Sequence, residues 1–337
     1  MRRGRTRRVL DDPMQGNDAT FFEGSEKKVE LSIDTSLPSL RTRGTAYWER
    51  IVRRCDAAVL SRIANAHCEA YLLSESSLFV FDHKIVMITC GRTRLAAAVL
   101  ALLGDVDPGA VRFLAYERKN EVFPQGQPTS FFDDVRALNE RLPGRAFQFG
   151  DEDEHHLYLF HLDRPHHDDR DDGTVEVLMY GIDPEVMALF CSPGSDTAAL
   201  RRATAVDRIL EGYDVDDHLF DPNGYSLNAI RGERYWALHV TPDPLRSYAS
   251  FETNAARPAD SGALVERVLA VFRPRSFDVV TFDRGEPLIE IDGPHELGSH
   301  VVQDLSCGYR TRFLSYRPPR GEVRQPLELP LDSVAVR

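Results

Sequence analysis

The chain has 337 residues, 42% of them hydrophobic and 28% charged, which is ordinary for a globular protein of one large domain or two smaller ones. Its formal net charge is -12 and no basic stripe crosses the body of the chain, which argues against a nucleic-acid-binding surface. Five irregularly spaced cysteines argue against a disulfide framework and against paired zinc ligands. No apolar run approaches the roughly 18 residues that a membrane helix needs, and the basic N-terminus lacks the apolar core of a secretory signal, so we expect a cytoplasmic protein.

The sequence predicts a disordered basic tail over residues 1–18, one folded domain over 19–318 and a loose, proline-rich tail over 319–337. Apolar residues spaced three and four apart predict helices over residues 45–64, 94–103, 131–142, 184–190, 197–210 and 261–272. Runs rich in β-branched and aromatic residues predict strands over 111–116, 157–160, 174–179, 235–240, 248–252, 279–282 and 309–316, with further strands before residue 33, within 219–227 and around 289. Strands and helices recur in a similar order in both halves. This suits an α+β fold in which two antiparallel sheets pack face to face with helices outside.

Residues 71–91, YLLSESSLFVFDHKIVMITCG, contain the most informative pattern in the sequence. Two apolar runs separated by Asp82-His83-Lys84 predict two strands and a turn, with Ser74-Glu75-Ser76-Ser77 inside the first strand. Hydroxyls and a carboxylate in a buried strand are costly unless they form hydrogen bonds or do chemistry. Cys90, near the end of the second strand, would lie close to the serines. From these residues alone, a polar kink or bulge in a strand is the simpler interpretation.

Histidines and acids cluster in residues 151–156 and 166–172, which invites a metal-site interpretation. The spacing matches no common metal site, and neighbouring residues on a strand face opposite ways. We therefore interpret both clusters as solvated loop and predict no metal.

Several motifs decide the interpretation of the hairpin: LSESSLFV and TCG at 73–80 and 89–91, FFEGSEK at 21–27, RKN at 118–120, and PNGYS and WALH at 222–226 and 236–239. Together they closely resemble the eukaryotic-type S-adenosylmethionine decarboxylase family, in the same order from Phe21 to about Tyr316. The resemblance implies a four-layer αββα sandwich built from two related halves. It also implies a pyruvoyl cofactor made from Ser76 by self-cleavage after Glu75, without metal or pyridoxal phosphate. The implied reaction yields decarboxylated S-adenosylmethionine, the aminopropyl donor for spermidine and spermine.

The resemblance also implies roles in self-cleavage and turnover. Ser226 would stabilise the cyclic intermediate formed when the Ser76 hydroxyl attacks the Glu75 carbonyl, and His239 would remove the Ser76 α-proton. In turnover the substrate amine would form a Schiff base with the pyruvoyl group, and the Cys90 thiol would return a proton to Cα. Glu23 and Glu26 would line the active and regulatory sites.

For substrate binding, the family pattern points to an aromatic sandwich around the adenine, formed by Phe22 and Phe220. The resemblance also places Glu75 in the same substrate site. Asp243 stands where the family has a ribose-binding glutamate, so its shorter side chain changes the reach of the carboxylate.

A second group of residues resembles the family's putrescine-responsive charge network: Glu26, Glu30, Asp172, Thr174, Glu176 and Glu252. Animal sequences have an apolar residue where this chain has Lys28, an aromatic residue where it has Ala115, and a lysine where it has Ile88. Because buried carboxylates raise one another's pKa unless a cation compensates, we expect Lys28 to replace the diamine in part and to give substantial basal activity.

Two alternatives stay open at this stage. One keeps the pyruvoyl chemistry but takes arginine or ornithine as substrate, which the two adenine-stacking phenylalanines disfavour. The other is a catalytically inactive paralogue that activates a partner subunit, which the presence of Ser76, Cys90, Ser226 and His239 disfavours. The resemblance also implies association of the two cleavage products and allows a homodimer.

Overall fold

The computed structural model describes residues 23–166, 173–191, 196–221, 223–243, 246–257, 260–285, 289–319 and 321. Its first half contains eight strands: β1 (Lys27–Ile33), β2 (Val59–Ala64), β3 (Cys68–Leu73), β4 (Ser76–Phe81), β5 (Lys84–Thr89), β6 (Val111–Lys119), β7 (Gly144–Gly150) and β8 (His156–Leu162). The second half contains β9 (Thr174–Tyr180), β10 (Asp214–Leu219), β11 (Tyr225–Arg231), β12 (Arg234–Thr241), β13 (Tyr248–Thr253), β14 (Ser276–Asp283), β15 (Glu296–Asp304) and β16 (Arg310–Arg317). The helices are α1 (Thr45–Val52), α2 (Leu95–Leu103), α3 (Phe131–Arg141), α4 (Pro184–Phe190), α5 (Thr197–Thr204) and α6 (Gly262–Phe272).

The two halves have the same sheet topology. One sheet has the strand order β2-β3-β4-β5-β1-β6-β8-β7 and the other β10-β11-β12-β13-β9-β14-β16-β15, so adding eight to each strand number of the first gives the second. Paired strands run antiparallel, for example β1 beside both β5 and β6. The predicted sandwich of two related halves is confirmed.

Hydrophobic residues fill three layers between the elements. One outer core joins the first sheet to α1–α3 through residues such as Trp48 and Leu138, and the other joins the second sheet to α4–α6 through residues such as Trp236 and Phe272. The space between the sheets holds two separate apolar clusters, one around Phe149 and Phe313 and one around Phe79 and Tyr235. Buried polar side chains occupy much of the remaining space between the sheets, and the candidate site lies among them.

Two predicted helices end earlier than expected. The helix predicted over 45–64 stops at Val52, because Asp56 adopts a left-handed backbone (φ +64°) and residues 59–64 then alternate in exposure as strand β2. The helix predicted over 197–210 stops at Thr204, because Ala205 is also left-handed (φ +57°).

Besides β2, three further edge strands were missed or misplaced. β7 and β10 were not predicted, and the strand expected around residue 289 lies at β15, Glu296–Asp304. β7, β10 and β15 are sheet edges, and β10 and β15 carry mostly polar residues with high exposure. Edge strands need less apolar alternation than central strands, so the hydrophobic pattern gives a weak signal there.

Two further findings bear on function. Among the described helices, none combines the length and the apolarity needed to cross a bilayer. In the described part of the chain, no three His, Cys, Asp or Glu side chains are grouped as metal ligands would be. Residues 167–172 of the predicted histidine-rich loop lie outside the described residues, as do residues 1–22 and 322–337 of the predicted tails.

Candidate active site

The β3–β4 hairpin carries a tight turn at the centre of the predicted cleavage motif. The expectation that Ser74 and Glu75 lie inside a strand is wrong, because they form a two-residue turn and Leu73 pairs with Ser76 across it. Ser76 is buried and has φ +119°, a backbone region that side-chain-bearing residues rarely adopt. Such conformations cost on the order of 1–3 kcal/mol and concentrate at functional sites. The predicted scissile position is therefore strained.

Cys90 lies beside this turn, as the hairpin predicted. β4 pairs with β5 so that Ser76 stands opposite Thr89, one residue before the cysteine. The Ser76 hydroxyl donates to Cys90 Sγ at 3.2 Å, and the Cys90 backbone N–H donates to the Glu75 carbonyl oxygen at 3.1 Å. Both atoms of the expected attack, the Ser76 oxygen and the Glu75 carbonyl, are therefore held by Cys90.

Burial shifts the protonation of the groups around the turn. It raises the pKa of Glu75 to about 7, and Glu75 Oε2 is buried without a hydrogen-bond partner in the described structure. Burial, followed by the charge of Glu75, raises the pKa of the Cys90 thiol far above its usual range, so Cys90 is protonated at neutral pH. Burial and the nearby Arg118 lower the pKa of Lys27 to about 8, and its Nζ donates to the Gly91 carbonyl at 3.0 Å.

His239, on β12 of the opposite sheet, reaches across to the hairpin. Its Nε2 lies 2.8 Å from Ser77 Oγ, and its Nδ1 lies 2.7 Å from Glu26 Oε1, which also accepts the Ser250 hydroxyl at 2.7 Å. The histidine therefore contacts the residue after Ser76, with a carboxylate holding the far side of its ring. This is the arrangement that orients a histidine for proton transfer.

Ser226 stands next to His239 on the neighbouring strand. The β11–β12 register pairs the two residues, and strand geometry places directly paired side chains on the same face of the sheet. Ser226 is 5% exposed, so its hydroxyl belongs to the same buried layer. The structure thus brings Ser226, His239 and Glu26 together on the side of the site facing the hairpin.

Glu23 is tied to the backbone of the segment after β6. Its Oε2 accepts the N–H groups of Val122 and Phe123 at 2.9 and 3.0 Å, and its own carbonyl accepts Gly91 N–H at 2.8 Å. Glu23 therefore joins the Cys90 end of β5 to the loop after β6. Phe22, its predicted adenine-stacking neighbour, lies outside the described residues.

The other predicted substrate residues lie in loops at the end of the second sheet that carries Ser226 and His239. Phe220 follows β10, is half-buried, and packs edge-on against the His218 ring with centroids 4.7 Å apart. Asp243 follows β12, and its Oδ1 accepts the Arg246 backbone N–H at 2.9 Å. Both residues therefore lie at the same end of the second sheet.

The predicted charge network lies deeper between the sheets. Lys28 Nζ lies 2.7 Å from Glu176, 3.1 Å from Glu252 and 3.9 Å from Glu117. Lys119 bonds Glu117 at 2.7 Å and also contacts Glu176. Three carboxylates and two ammonium groups thus form one buried cluster.

Two other predicted members lie at its margin. Glu30 is 3.4 Å from the Lys84 ammonium, and the Thr174 hydroxyl is buried with no partner in the described part of the structure. Asp172 lies outside the described residues.

The lysines divide this cluster into charged and proton-binding carboxyls. Burial alone would raise the pKa of Glu176, but Lys119 and Lys28 overcome that and lower it to about 2. Burial and the Glu176 charge raise the pKa of Glu252 to about 7, and burial also raises that of Glu117. Against the burial penalty, Glu176 and Glu252 raise the pKa of Lys28 well above its usual range. Lys28 is therefore a fixed cation, and Glu252 is the carboxyl whose charge is adjustable near neutral pH.

A cavity of about 10 Å³ beside Lys28 is lined by Glu30, Ala115, Glu117, Thr174, Phe282 and neighbours. This is about the space that a single water molecule needs. The Lys28 side chain occupies the interior next to it and contacts the acids directly.

Sequence reasoning missed five residues of these two regions: Ser77, Glu117, Lys119, Asn228 and Ser250. For Glu117 and Lys119 a signal existed, because residues two apart on a strand share a face, and a Glu and a Lys at that spacing in an apolar strand predict a buried ion pair. Ser77, Asn228 and Ser250 gave no such signal, since single polar residues within strands are common.

Comparison with known proteins gives one consistent family. A sequence model described as "Adenosylmethionine decarboxylase" matches residues 19–311. The S-adenosylmethionine decarboxylase proenzyme of Leishmania donovani is 36% identical over 280 residues, covering 77% of this chain and 73% of that protein. The Trypanosoma cruzi proenzyme is 35% identical over 348 residues, covering 93% and 92%, and the Drosophila melanogaster proenzyme is 31% identical over 339 residues, covering 90% and 97%.

The fold has a solved counterpart. The crystal structure of the Trypanosoma brucei AdoMetDC-delta26 monomer superimposes with a TM-score of 0.57 at 24% identity, covering 72% of this chain and 99% of that one. At this identity the match supports the sandwich fold alone.

Proposed function

Because this chain belongs to the adenosylmethionine decarboxylase family, its reaction is the decarboxylation of S-adenosylmethionine, and we propose that it works through a pyruvoyl group made from its own Ser76. Decarboxylation leaves an electron pair on Cα that ordinary side chains cannot accept, and a pyruvoyl group supplies the electron sink. The observation that carries the proposal is the strained Ser76 whose hydroxyl and preceding carbonyl are both held by Cys90.

The first step of self-processing is an acyl shift. Ser76 Oγ attacks the Glu75 carbonyl carbon, the C–N bond breaks, and an ester joins Glu75 to the Ser76 side chain while the hydroxyl proton ends on the freed amine. The Cys90 N–H already points at the carbonyl oxygen that becomes negative, and such a preorganised donor lowers the barrier. We assign Ser226 as a second donor to that oxygen. Release of the Ser76 backbone strain favours the shift.

The second step is an elimination. His239, oriented by Glu26, takes the Ser76 α-proton, the Cβ–Oγ bond breaks, and Glu75 leaves as the terminal carboxylate of the smaller chain. The dehydroalanine that remains takes up water and loses ammonia, which leaves pyruvoyl at the start of the larger chain.

In turnover, we assign the chain's own groups to binding and proton delivery. Cys90 is the proton donor to Cα, and burial keeps its thiol protonated for that task. Phe22 and Phe220 bind the adenine, Asp243 the ribose, and Glu23 and Glu75 line the site. A Cys90→Ala variant should bind substrate but lose turnover.

We further propose that Lys28 stands in for an activating diamine. Its ammonium already contacts Glu176 and Glu252, and the adjacent cavity has room for only about one water. Purified enzyme should therefore gain less than about tenfold in rate, about 1.4 kcal/mol, from putrescine. Lys28→Ala should lower basal activity and raise the gain above tenfold. A gain above tenfold in the unaltered enzyme would refute the assignment.

Intact-mass spectrometry of the freshly purified full chain tests the central proposal. We expect two pieces separated between Glu75 and Ser76, with the larger piece lacking a free N-terminal amine, and a single 38.1 kDa chain for Ser76→Ala. An uncut unaltered chain, incubated with and without putrescine, would refute it. None of the described residues favours an arginine or ornithine substrate or an inactive activator. The homodimer and the cytoplasmic location remain predictions.

A further inference from the structure

Ser77 has no role in the steps above, yet its hydroxyl lies between Asn228 and His239, the proposed base. The side chain is fully buried. Its Oγ lies 2.5 Å from Asn228 Oδ1 and 2.8 Å from His239 Nε2. Asn228 is also fully buried, and its Nδ2 has no hydrogen-bond partner within the described structure.

A serine hydroxyl has one proton, so its two contacts cannot both be donations. Because Asn228 Oδ1 can only accept, Ser77 donates to Asn228 and accepts from His239 Nε2. In this arrangement Nε2 carries a hydrogen. The opposite ring nitrogen, Nδ1, faces Glu26, and Ser250 also donates to that carboxyl. His239 as held here therefore has no free electron pair at Nε2 with which to accept the Ser76 α-proton.

The amide of Asn228 offers the reverse arrangement. Turning it by half a rotation brings Nδ2 to Ser77, so that Asn228 donates to Ser77 and Ser77 donates to His239 Nε2. The turn breaks no hydrogen bond at Nδ2, because Nδ2 has none in the described structure. The ring hydrogen then lies on Nδ1, where Glu26 Oε1 accepts it, and Nε2 is left as an acceptor, which is the form that a base requires.

We propose that Asn228 and Ser77 are positioning residues for the elimination step, and that the orientation of the Asn228 amide selects whether His239 Nε2 is a donor or an acceptor. This inference rests on the proposed role of His239. The two residues act on His239 and do not touch the scissile bond. The acyl shift can therefore proceed in either arrangement, while the elimination needs the second.

The test measures which step of self-processing stalls. Esters react with hydroxylamine far more readily than amides, so hydroxylamine splits a stalled ester at Glu75 and leaves a hydroxamate on the smaller piece. In Asn228→Asp both carboxylate oxygens accept, which keeps Ser77 as a donor to position 228. We expect its elimination to slow at least tenfold and the hydroxylamine-sensitive ester to accumulate. Asn228→Leu, which imposes no direction on Ser77, should eliminate within about threefold of the unaltered chain.

Ser77→Thr and Ser77→Val form a second, matched pair, because they have the same shape and only threonine keeps the hydroxyl. We expect threonine to eliminate at least tenfold faster than valine. This pair decides the question if Asn228→Asp does not fold, as judged by near-ultraviolet circular dichroism. The controls are Ser315→Ala, at a buried serine of β16, and Asn254→Ala, at a buried asparagine just after β13; neither side chain contacts His239.

His239→Ala separates this inference from the proposed function. If His239→Ala cleaves at the unaltered rate, the role of His239 fails. If His239→Ala accumulates ester while folded Asn228→Asp and Ser77→Val cleave normally, or stall without a hydroxylamine-sensitive species, only the role of Asn228 and Ser77 is overturned.

Discussion

The β3–β4 and β11–β12 hairpins occupy equivalent places in the two halves of the molecule. Both reverse the chain, but they use different residues at the position with positive φ. Each is closed by a two-residue turn, Ser74-Glu75 in the first and Gly232-Glu233 in the second. Each contains a residue with positive φ, namely Ser76 at +119° and Gly232 at +58°. Glycine reaches such conformations at little steric cost, whereas serine does not.

The two hairpins differ in backbone strain and in burial. The Gly232 turn is partly exposed and has open space around it, so only chain reversal is required there. Ser76, which follows the first turn, is buried, strained and surrounded by groups that can move protons. Under the proposed self-cleavage, a side chain that costs stability is kept at this position because its hydroxyl and backbone react.

The largest expected effect is the loss of cleavage when the Ser76 hydroxyl is removed. Both Ser76→Ala and Ser76→Gly should remain single chains in intact-mass spectra. Glycine relieves the φ of +119°, so Ser76→Gly should unfold with a free energy about 1 kcal/mol higher than Ser76→Ala in urea titrations. Equal stabilities, or a less stable glycine variant, would show that the turn is not strained.

In the second hairpin, a substitution at the position with positive φ should lower the free energy of unfolding. Gly232→Ala places a side chain at φ +58°, which costs about 1 kcal/mol although the space around it is open. Measured in the uncut Ser76→Ala background, the free energy of unfolding should fall by that amount. Cleavage in the otherwise unaltered chain should keep its rate. Slower cleavage would mean that the two hairpins are coupled.

The third prediction concerns the glutamate in each turn. Burial raises the pKa of Glu75 from about 4.5 in the unfolded chain to about 7, so the folded chain holds this proton more tightly. Its contribution to stability is complete below about pH 4.5 and is lost as the pH rises to about 7. In the Ser76→Ala background, Glu75→Gln should remove this part of the pH dependence. Glu233→Gln, at the exposed turn, is the control, and an identical change in both variants would contradict the assignment.

The sequence predicted the sandwich and its central strands because buried strands have continuous apolar patterns, as in residues 78–81 and 85–88. It did not predict polar edge strands such as β10, whose residues are specified by pairing and solvent rather than by burial. The exact turn at Ser74-Glu75 was missed because the strand register, which places Leu73 opposite Ser76, is a property of three neighbouring strands and not of the local sequence.

At the site, the resemblance grouped Ser76, Cys90, Glu26 and His239, which lie on or next to four different strands, β4, β5, β1 and β12, of both sheets. It could not indicate that the hydrogen-bond partner of His239 Nε2 is Ser77, because that contact depends on the distance between the two sheets. The same holds for Lys119, whose contact with Glu176 crosses from one sheet to the other.

The strand order of the first sheet has a consequence for the molecule if it is cut, as we propose, between Glu75 and Ser76. Residues 1–75 carry β1, β2 and β3, while β4, β5 and β6 follow the cut. Because β1 lies between β5 and β6, a strand of the smaller piece is hydrogen-bonded on both edges to strands of the larger piece. The pieces can separate only if the sheet opens, so no simple dissociation equilibrium exists. Folding of the uncut chain is a first-order process, but recovery of the cut protein from denaturant is second-order. Cleavage would thus turn a unimolecular folding reaction into a bimolecular one. The lifetime of the folded, cut protein would then be set by its unfolding rate.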